Sequence, residues 1–201
     1  MTTGSEPVRV VVGASSQDYP GWVRTQQNDL DLVRRNDWER LFRPGSIQAI
    51  LAEHVWEHLD EAEALLAAAN CFAFLMEGGF VRCAVPGLFP DATYQRTVRI
   101  GGPGPKDHPA ASHQSLFTWR TLPSVFVSAG FQVRLLEWWD DDGQFQRRDW
   151  DANDGFIYRS VRFDDRNRCG RLGFTSLILD ATKPLGLKPA SSGNKATEST
   201  S

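Results

Sequence analysis

Six consecutive residues, Glu53-His54-Val55-Trp56-Glu57-His58, carry two imidazoles and two carboxylates. Groups of this kind exchange protons near neutral pH or ligate metal ions. His54, Glu57 and His58 fit H-x-x-E-H, the inverted zincin signature, which needs a helix to put both histidines on one face. Here an apolar run of strand type, Ile47-Gln48-Ala49-Ile50-Leu51-Ala52, leads straight into His54, and the first helix-start signal comes only at Asp60. His54 therefore falls at a strand end and His58 in the turn after it. Zinc ligation would be strained, no metal is expected, and His54 is better placed than His58 to face a ligand. A second acid/base cluster is Asp107-His108, with His113 close behind. A histidine near its reference pKa accepts a proton from a substrate at neutral pH. The third feature is Gly13-Ala14-Ser15, a loop after a β-branched run, where glycine lets a ligand approach the backbone. The phosphate-binding pattern G-x-G-x-x-G and the P-loop are both absent, and a cofactor without phosphates needs neither.

The elements that would position these groups follow from periodicity and stop signals. Val8–Val12 reads as a buried first strand and Trp22–Thr25 as a short second one. Helical spacing runs over Asp29–Phe42, with a break near Asn36-Asp37. Asp60 is the N-cap of a helix over Glu61–Leu75, stopped by Gly78-Gly79, and a strand follows over Val81–Val85. Strand, helix and strand within Ser46–Pro86 make a βαβ crossover, hence a parallel sheet. Ligands of open α/β sheets sit at the carboxyl ends of the strands, which is where Glu53-His54 falls. Residues 87–117 form a long Gly-, Pro- and His-bearing connection of the kind used as a lid or binding loop. A helix over Thr118–Ala129, a strand over Phe131–Trp139, a turn at Asp140-Asp141-Asp142-Gly143 and a last strand over Phe174–Ala181 complete the chain. The fold class is α/β: a three-layer, doubly wound, mostly parallel sheet with an antiparallel C-terminal strand pair. Trp138, Trp139, Phe145, Trp150, Phe156 and Tyr158 read first as core of an excursion packed on the sheet, and second as the lining of a cleft.

The 201 residues suit one domain over residues 8–183, with a flexible start (1–7) and a polar, disordered tail (184–201). A net charge of −3 argues against a general nucleic-acid binder, which carries a basic excess. No signal region or membrane-length apolar run is visible, so the cytoplasm is the expected location. Cys71, Cys83 and Cys169 are too far apart for a zinc ribbon and odd in number; Cys71 and Cys83 read as small core residues.

Three stretches, VVVGASSQDYPGW, PGSIQAILAEHVWEHLDEAEALL and GGFVRCAVP, together resemble the S-adenosylmethionine-dependent methyltransferases of class I architecture. The nearest subgroup is one of short bacterial enzymes. The likeness is good over roughly residues 8–90 and looser through SAGFQVRLLEWWDDDGQF, DGFIYRSVRFDDRN and TSLILDATK to about residue 183. It implies a Rossmann-like methyltransferase fold with S-adenosylmethionine along the carboxyl edge of the sheet. Gly13, Ala14 and Ser15 would pass under the methionine and ribose, Gln26 would face the ribose hydroxyls, Asp29 or Asp31 would lie near the adenine, and Glu53 and His54 near the reacting methyl. The chain departs from the family pattern at Ser15, at Gln26 (an acid in the family), at Gln48-Ala49-Ile50, at Leu75-Met76-Glu77-Gly78-Gly79 and at Gly87.

The implied activity is methyl transfer to an acceptor, with Asp107 or His108 taking the acceptor's proton under the 87–117 loop. The alternative is a non-catalytic binding module on the same fold, with the cofactor site weakened by the neutral Gln26. Third comes a metalloprotease through His54, Glu57 and His58.

Overall fold

The computed structural model describes residues 7–15, 19–99, 109–168 and 170–186. Asp107 and His108 lie outside that set, as do Cys169, the 101–105 Gly/Pro run and the greater part of both termini. Among the described residues, seven strands make one sheet: β1 (Val8–Val12), β2 (Val23–Arg24), β3 (Ile47–Glu53), β4 (Leu75–Val85), β5 (Gln132–Trp139), β6 (Phe145–Arg147) and β7 (Leu177–Thr182). Their spatial order is β2-β1-β3-β4-β7-β5-β6. The β1–β2, β1–β3 and β3–β4 pairs are parallel, and β7 runs antiparallel to both β4 and β5. β5 thus points the same way as β4, and the sheet is mostly parallel with the expected antiparallel C-terminal pair.

Helices α1 (Arg35–Leu41), α2 (Glu61–Phe74) and α4 (Thr121–Ser128) cover one face; α3 (Ala92–Val98) lies in the long connection. On the covered face Val10, Val12, Ile50, Ala52, Val81, Cys83, Val85 and Leu179 bury against Trp38, Ala64, Ala68, Phe74, Leu122 and Phe126. Cys71 and Cys83 are both buried there, as core residues should be. Asp60 caps α2 through a reciprocal box: its carboxylate accepts the Glu63 N–H while the Glu63 carboxylate accepts the Asp60 N–H. Asp60→Ala should lower the midpoint of urea unfolding by an amount equivalent to about 1 kcal/mol; an unchanged midpoint would mean the cap contributes nothing.

Among the described residues the opposite face is covered by no α-helix. Val11, Leu51, Ala84, Leu136 and Ile178 bury against Tyr19 and Ile157, with Trp22, Trp150, Phe156 and Tyr158 packed around them. Trp150, Phe156 and Tyr158 thus pack on this core and Trp138 on that of the helical face, as the first reading has it, while Trp139 and Phe145 contact each other outside both. Aromatic side chains from two irregular segments, 19–22 and 150–158, substitute for a helix because Tyr, Trp and Phe cover much area per residue. Arg82, from the middle of β4, ties this layer down. It is 2% exposed, its Nε and Nη2 meet Asp180 of β7 at 2.7 and 2.9 Å, and its Nη1 donates to the carbonyls of Asp151 (2.9 Å) and Gly155. The guanidinium also lies 4.7 Å from the Trp150 ring centroid.

Boundaries differ from those read in the sequence, the last helix and last strand each beginning three residues later, at Thr121 and Leu177, and two differences bear on the fold. The helix expected from Asp29 begins at Arg35 and runs through Asn36-Asp37 without a break. Residues 29–34 instead make turns, with the Asp29 carboxylate accepting the Gln26 N–H (2.9 Å) and that of Asp31 the Val33 N–H (3.2 Å); short acidic side chains favour such local bonds over helix. Gly78-Gly79 does not stop α2, which passes directly into β4 at Leu75. The pair forms an irregularity inside β4, where the pairing jumps from Ile47–Leu75 to Ala49–Phe80. A side chain at Gly79 would meet the Gln48 and Met76 carbonyl oxygens at 2.9 Å, so the strand passes there only as glycine.

Candidate functional site

The register of the parallel strands sets the site. Val12 lies opposite Ala52 and Glu53 opposite Ala84, so β1, β3 and β4 end together, and Gly13, His54 and Pro86 emerge side by side at the carboxyl edge. β3 ends in a sharp corner. His54 has φ +56°, an unusual conformation for a residue with a side chain, and its N–H donates to the Ala84 carbonyl at 2.8 Å. A single 3-10 turn, Trp56–His58, follows before the Asp60 cap. His54 and His58 thus never share a helical face, and the zincin arrangement is absent.

Two cavities open along this edge. The first, about 210 Å³, is lined by Gly13, Gln26, Asp31, His54, Val55 and His58 among others. The second, about 530 Å³, is lined by His54, Pro86, Tyr94, His113, Arg159 and Arg166 among others. His54 borders both. A hollow of similar size between α2 and α4 lies away from the strand ends and includes none of these groups.

Of the seven residues assigned to cofactor binding, Gly13, Gln26, Asp31 and His54 line the first cavity, while Ala14, Ser15 and Glu53 do not. Ala14 is buried, its side chain in the aromatic-covered core and its N–H on the Thr25 carbonyl at 3.0 Å. Ser15 has φ +48°; its backbone is clasped by the Gln26 side chain, whose Oε1 accepts the Ser15 N–H (3.3 Å) and whose Nε2 donates to the Ser15 carbonyl (2.9 Å). Asp31 pairs with Arg34 at 3.1 Å. Glu53 turns away from the cavity. Its carboxylate accepts the N–H groups of Tyr158 (2.9 Å) and Arg159 (2.8 Å), with the Tyr19 hydroxyl at 3.4 Å. It holds the aromatic excursion to the end of β3.

Gly13 has φ +61°, and a side chain there would meet Val55 Cγ2 at 2.7 Å. The loop and the strand corner are therefore in direct contact.

Burial disfavours the charged forms of His54, Glu57 and His58 at this edge. Burial lowers the His54 imidazole well below its ordinary value, and neighbouring Arg159, His113 and His58 act in the same direction. Burial also pushes the Glu57 carboxyl up to about 8 and lowers His58. Nε2 of His54 meets Ser176 Oγ at 2.9 Å and its Nδ1 lies 3.3 Å from Glu57 Oε1. Sequence reasoning did not find Ser176, Tyr94 or Arg159, which come from distant segments and carry no local motif.

No protein-family model matches the sequence, and no curated protein matches it either. Solved structures do. The chain is similar to an S-adenosylmethionine-dependent methyltransferase from Archaeoglobus fulgidus, at 12% identity and a TM-score of 0.50, over 89% of this chain and 87% of that one. It is also similar to a chain of the complex between the Haloferax volcanii Trm112 methyltransferase activator and the putative methyltransferase, at 12% identity and a TM-score of 0.52, over 94% and 87%. This is the class I methyltransferase fold. At such identities the likeness establishes the fold. The chain spans only 37% of an O-methyltransferase family protein from Burkholderia thailandensis, at a TM-score of 0.48. No helix among the described residues is long and apolar enough to cross a membrane.

Proposed function

We propose that the chain binds S-adenosylmethionine in the cavity between Gly13, Gln26, Asp31 and His54, and that the methyl group passes to an acceptor in the larger cavity. The observation that carries this reading is His54, a strained strand-end residue bordering both cavities at the edge where α/β sheets bind ligands. The residues fit such a cofactor in position and chemistry: a glycine corner for close approach, and an amide and a carboxylate for hydroxyl and amine hydrogens. The fit is tight. The first cavity falls below the roughly 300–1,000 Å³ usual for small-molecule sites, so the Gln26 clasp on Ser15 must open to widen it.

When bound, the cofactor supplies a methyl group on a good leaving thioether, so the protein's task is alignment and exclusion of water. Gly13 lets the backbone lie against the ligand, and Gln26 and Asp31 orient its polar groups. His54, fixed by Ser176 and held neutral, presents no competing positive charge beside a sulfonium. Asp107 and His108 are the proposed acceptors of the substrate's proton, and the 87–117 connection is the proposed lid. The fold and the two cavities at the strand ends support a methyltransferase.

One observation favours a second reading, a binding module with a weakened cofactor site: the Gln26 amide is already spent on Ser15. Calorimetric titration with S-adenosylmethionine and S-adenosylhomocysteine separates the two. Methyl transfer predicts dissociation constants in the micromolar range or tighter, about −8 kcal/mol, weakened at least tenfold by Gly13→Ala. Heat from neither ligand would favour the binding module.

A further inference from the structure

Glu57, His58 and His113 come together beside the two cavities, each offering one ligand atom, all within 4.8 Å of one another. The rings of His58 and His113 meet edge to face with centroids 5.1 Å apart. Glu57 is 1% exposed, and neither of its carboxylate oxygens has a hydrogen-bond partner. A buried carboxylate left without donors is costly and rare in a folded protein. No side chain of Lys or Arg comes forward to pair with it among the ion pairs of the described residues; its near neighbour is His54.

Both histidines carry Nδ1 bonds of the kind that support ligating imidazoles. His113 Nδ1 lies 2.8 Å from the Val98 carbonyl, which can only accept, so this nitrogen carries the hydrogen and Nε2 keeps its lone pair. His58 Nδ1 is held by Ser112, at 3.0 Å from Oγ and 3.4 Å from the carbonyl oxygen. Backbone or hydroxyl bonds at the far ring nitrogen are the usual outer support of metal-bound imidazoles. His113 is buried and His58 half-buried, so the cluster keeps one open side.

We propose that Glu57, His58 and His113 bind a divalent first-row transition metal ion. Two imidazoles and one carboxylate suit zinc, manganese, iron or cobalt, rather than calcium or magnesium, which prefer all-oxygen shells. Bonds of 2.0–2.2 Å would draw the ligand atoms to about 3.4 Å apart, a contraction that side-chain rotation supplies. Three protein ligands leave a position for a further oxygen. His58 borders the first cavity and His113 the second, so that oxygen would come from a molecule at their junction. This last consequence rests on the methyl-transfer reading; the metal site does not. The ligand set differs from the H-x-x-E-H reading, since His54 stays with Ser176 and the second imidazole comes from the far connection.

The test uses the full chain, stripped with a chelator, reloaded with Co2+ or Zn2+, and dialysed. The expected result is one retained equivalent by elemental analysis and a visible d–d absorption band with cobalt. Glu57→Gln and His113→Gln should abolish both, and Ser112→Ala, which removes outer support, should weaken binding about 10-fold. His58→Gln, at the half-exposed position, serves if the buried variants do not fold, as judged by circular dichroism. No retained metal, or retention unaffected by these substitutions, overturns the proposal. S-adenosylmethionine titrations on the same stripped and loaded samples report separately on the cofactor site.

Discussion

Replacing Arg82 with methionine is expected to cost about 3–5 kcal/mol of folding stability. The change removes a guanidinium that bridges β4 to β7 through Asp180 and to the irregular layer through the Asp151 and Gly155 carbonyls. It leaves Asp180, whose side chain is only 15% exposed, as an uncompensated charge. A buried pair broken on one side is worse than a pair removed whole. Arg82→Met combined with Asp180→Leu should therefore recover part of the loss. It should not recover all of it, because the two carbonyls of the 151–155 segment remain without their donor. Urea unfolding of the two single variants and the double variant gives the coupling. Single and double variants of equal stability would show that Asp180 is not the main partner. The aromatic layer offers a second readout, since Trp150 stacks on Arg82 and its fluorescence should report a loosened 148–158 segment before global unfolding.

The second large effect is at Glu53, and it separates structure from cofactor chemistry. Glu53→Gln keeps the shape but replaces one carboxylate oxygen with an NH2 group. The carboxylate accepts backbone N–H groups on both oxygens, so the amide must face a donor with a donor. A stability loss of about 1–3 kcal/mol follows from that orphaned N–H, with the 156–159 segment released from the end of β3. S-adenosylmethionine affinity should fall only as far as this segment supports His54. A variant with unchanged urea midpoint but greatly weakened cofactor binding would assign Glu53 a direct part in the cofactor site.

The two substitutions also mark where sequence reading stops. The strand ending at Glu53, the turn after it, the Asp60 cap and the β5–β6 hairpin turn at Asp140–Gly143 were all legible, because each is set by residues within a few positions of one another. The Asp140 carboxylate, for instance, accepts the Asp142 and Gln144 N–H groups. Helix boundaries around Asp29 and Gly78 were not legible. There, bonds within turns and pairing with β3 overrode helical spacing and the usual meaning of a glycine pair.

Site residues divide along the same line. That Gly13 and His54 stand at the ligand-binding edge follows from strand order, which the βαβ pattern already implies. Which polar groups remain available there depends on partners far away in the chain. Glu53 is taken by Tyr158 and Arg159, Gln26 by Ser15, and His58 meets His113 only after the long connection folds back. The sequence by itself determined an α/β chain with a parallel crossover and a chemically rich strand end, since hydrophobic period and caps act locally. Only the tertiary structure decided that the second face is covered by aromatics held through Arg82, and that a buried Glu57 without a hydrogen-bond donor sits beside His58 and His113. Burial and long-range hydrogen bonding are properties of the packed chain, and they determine which carboxylates and imidazoles are free to act.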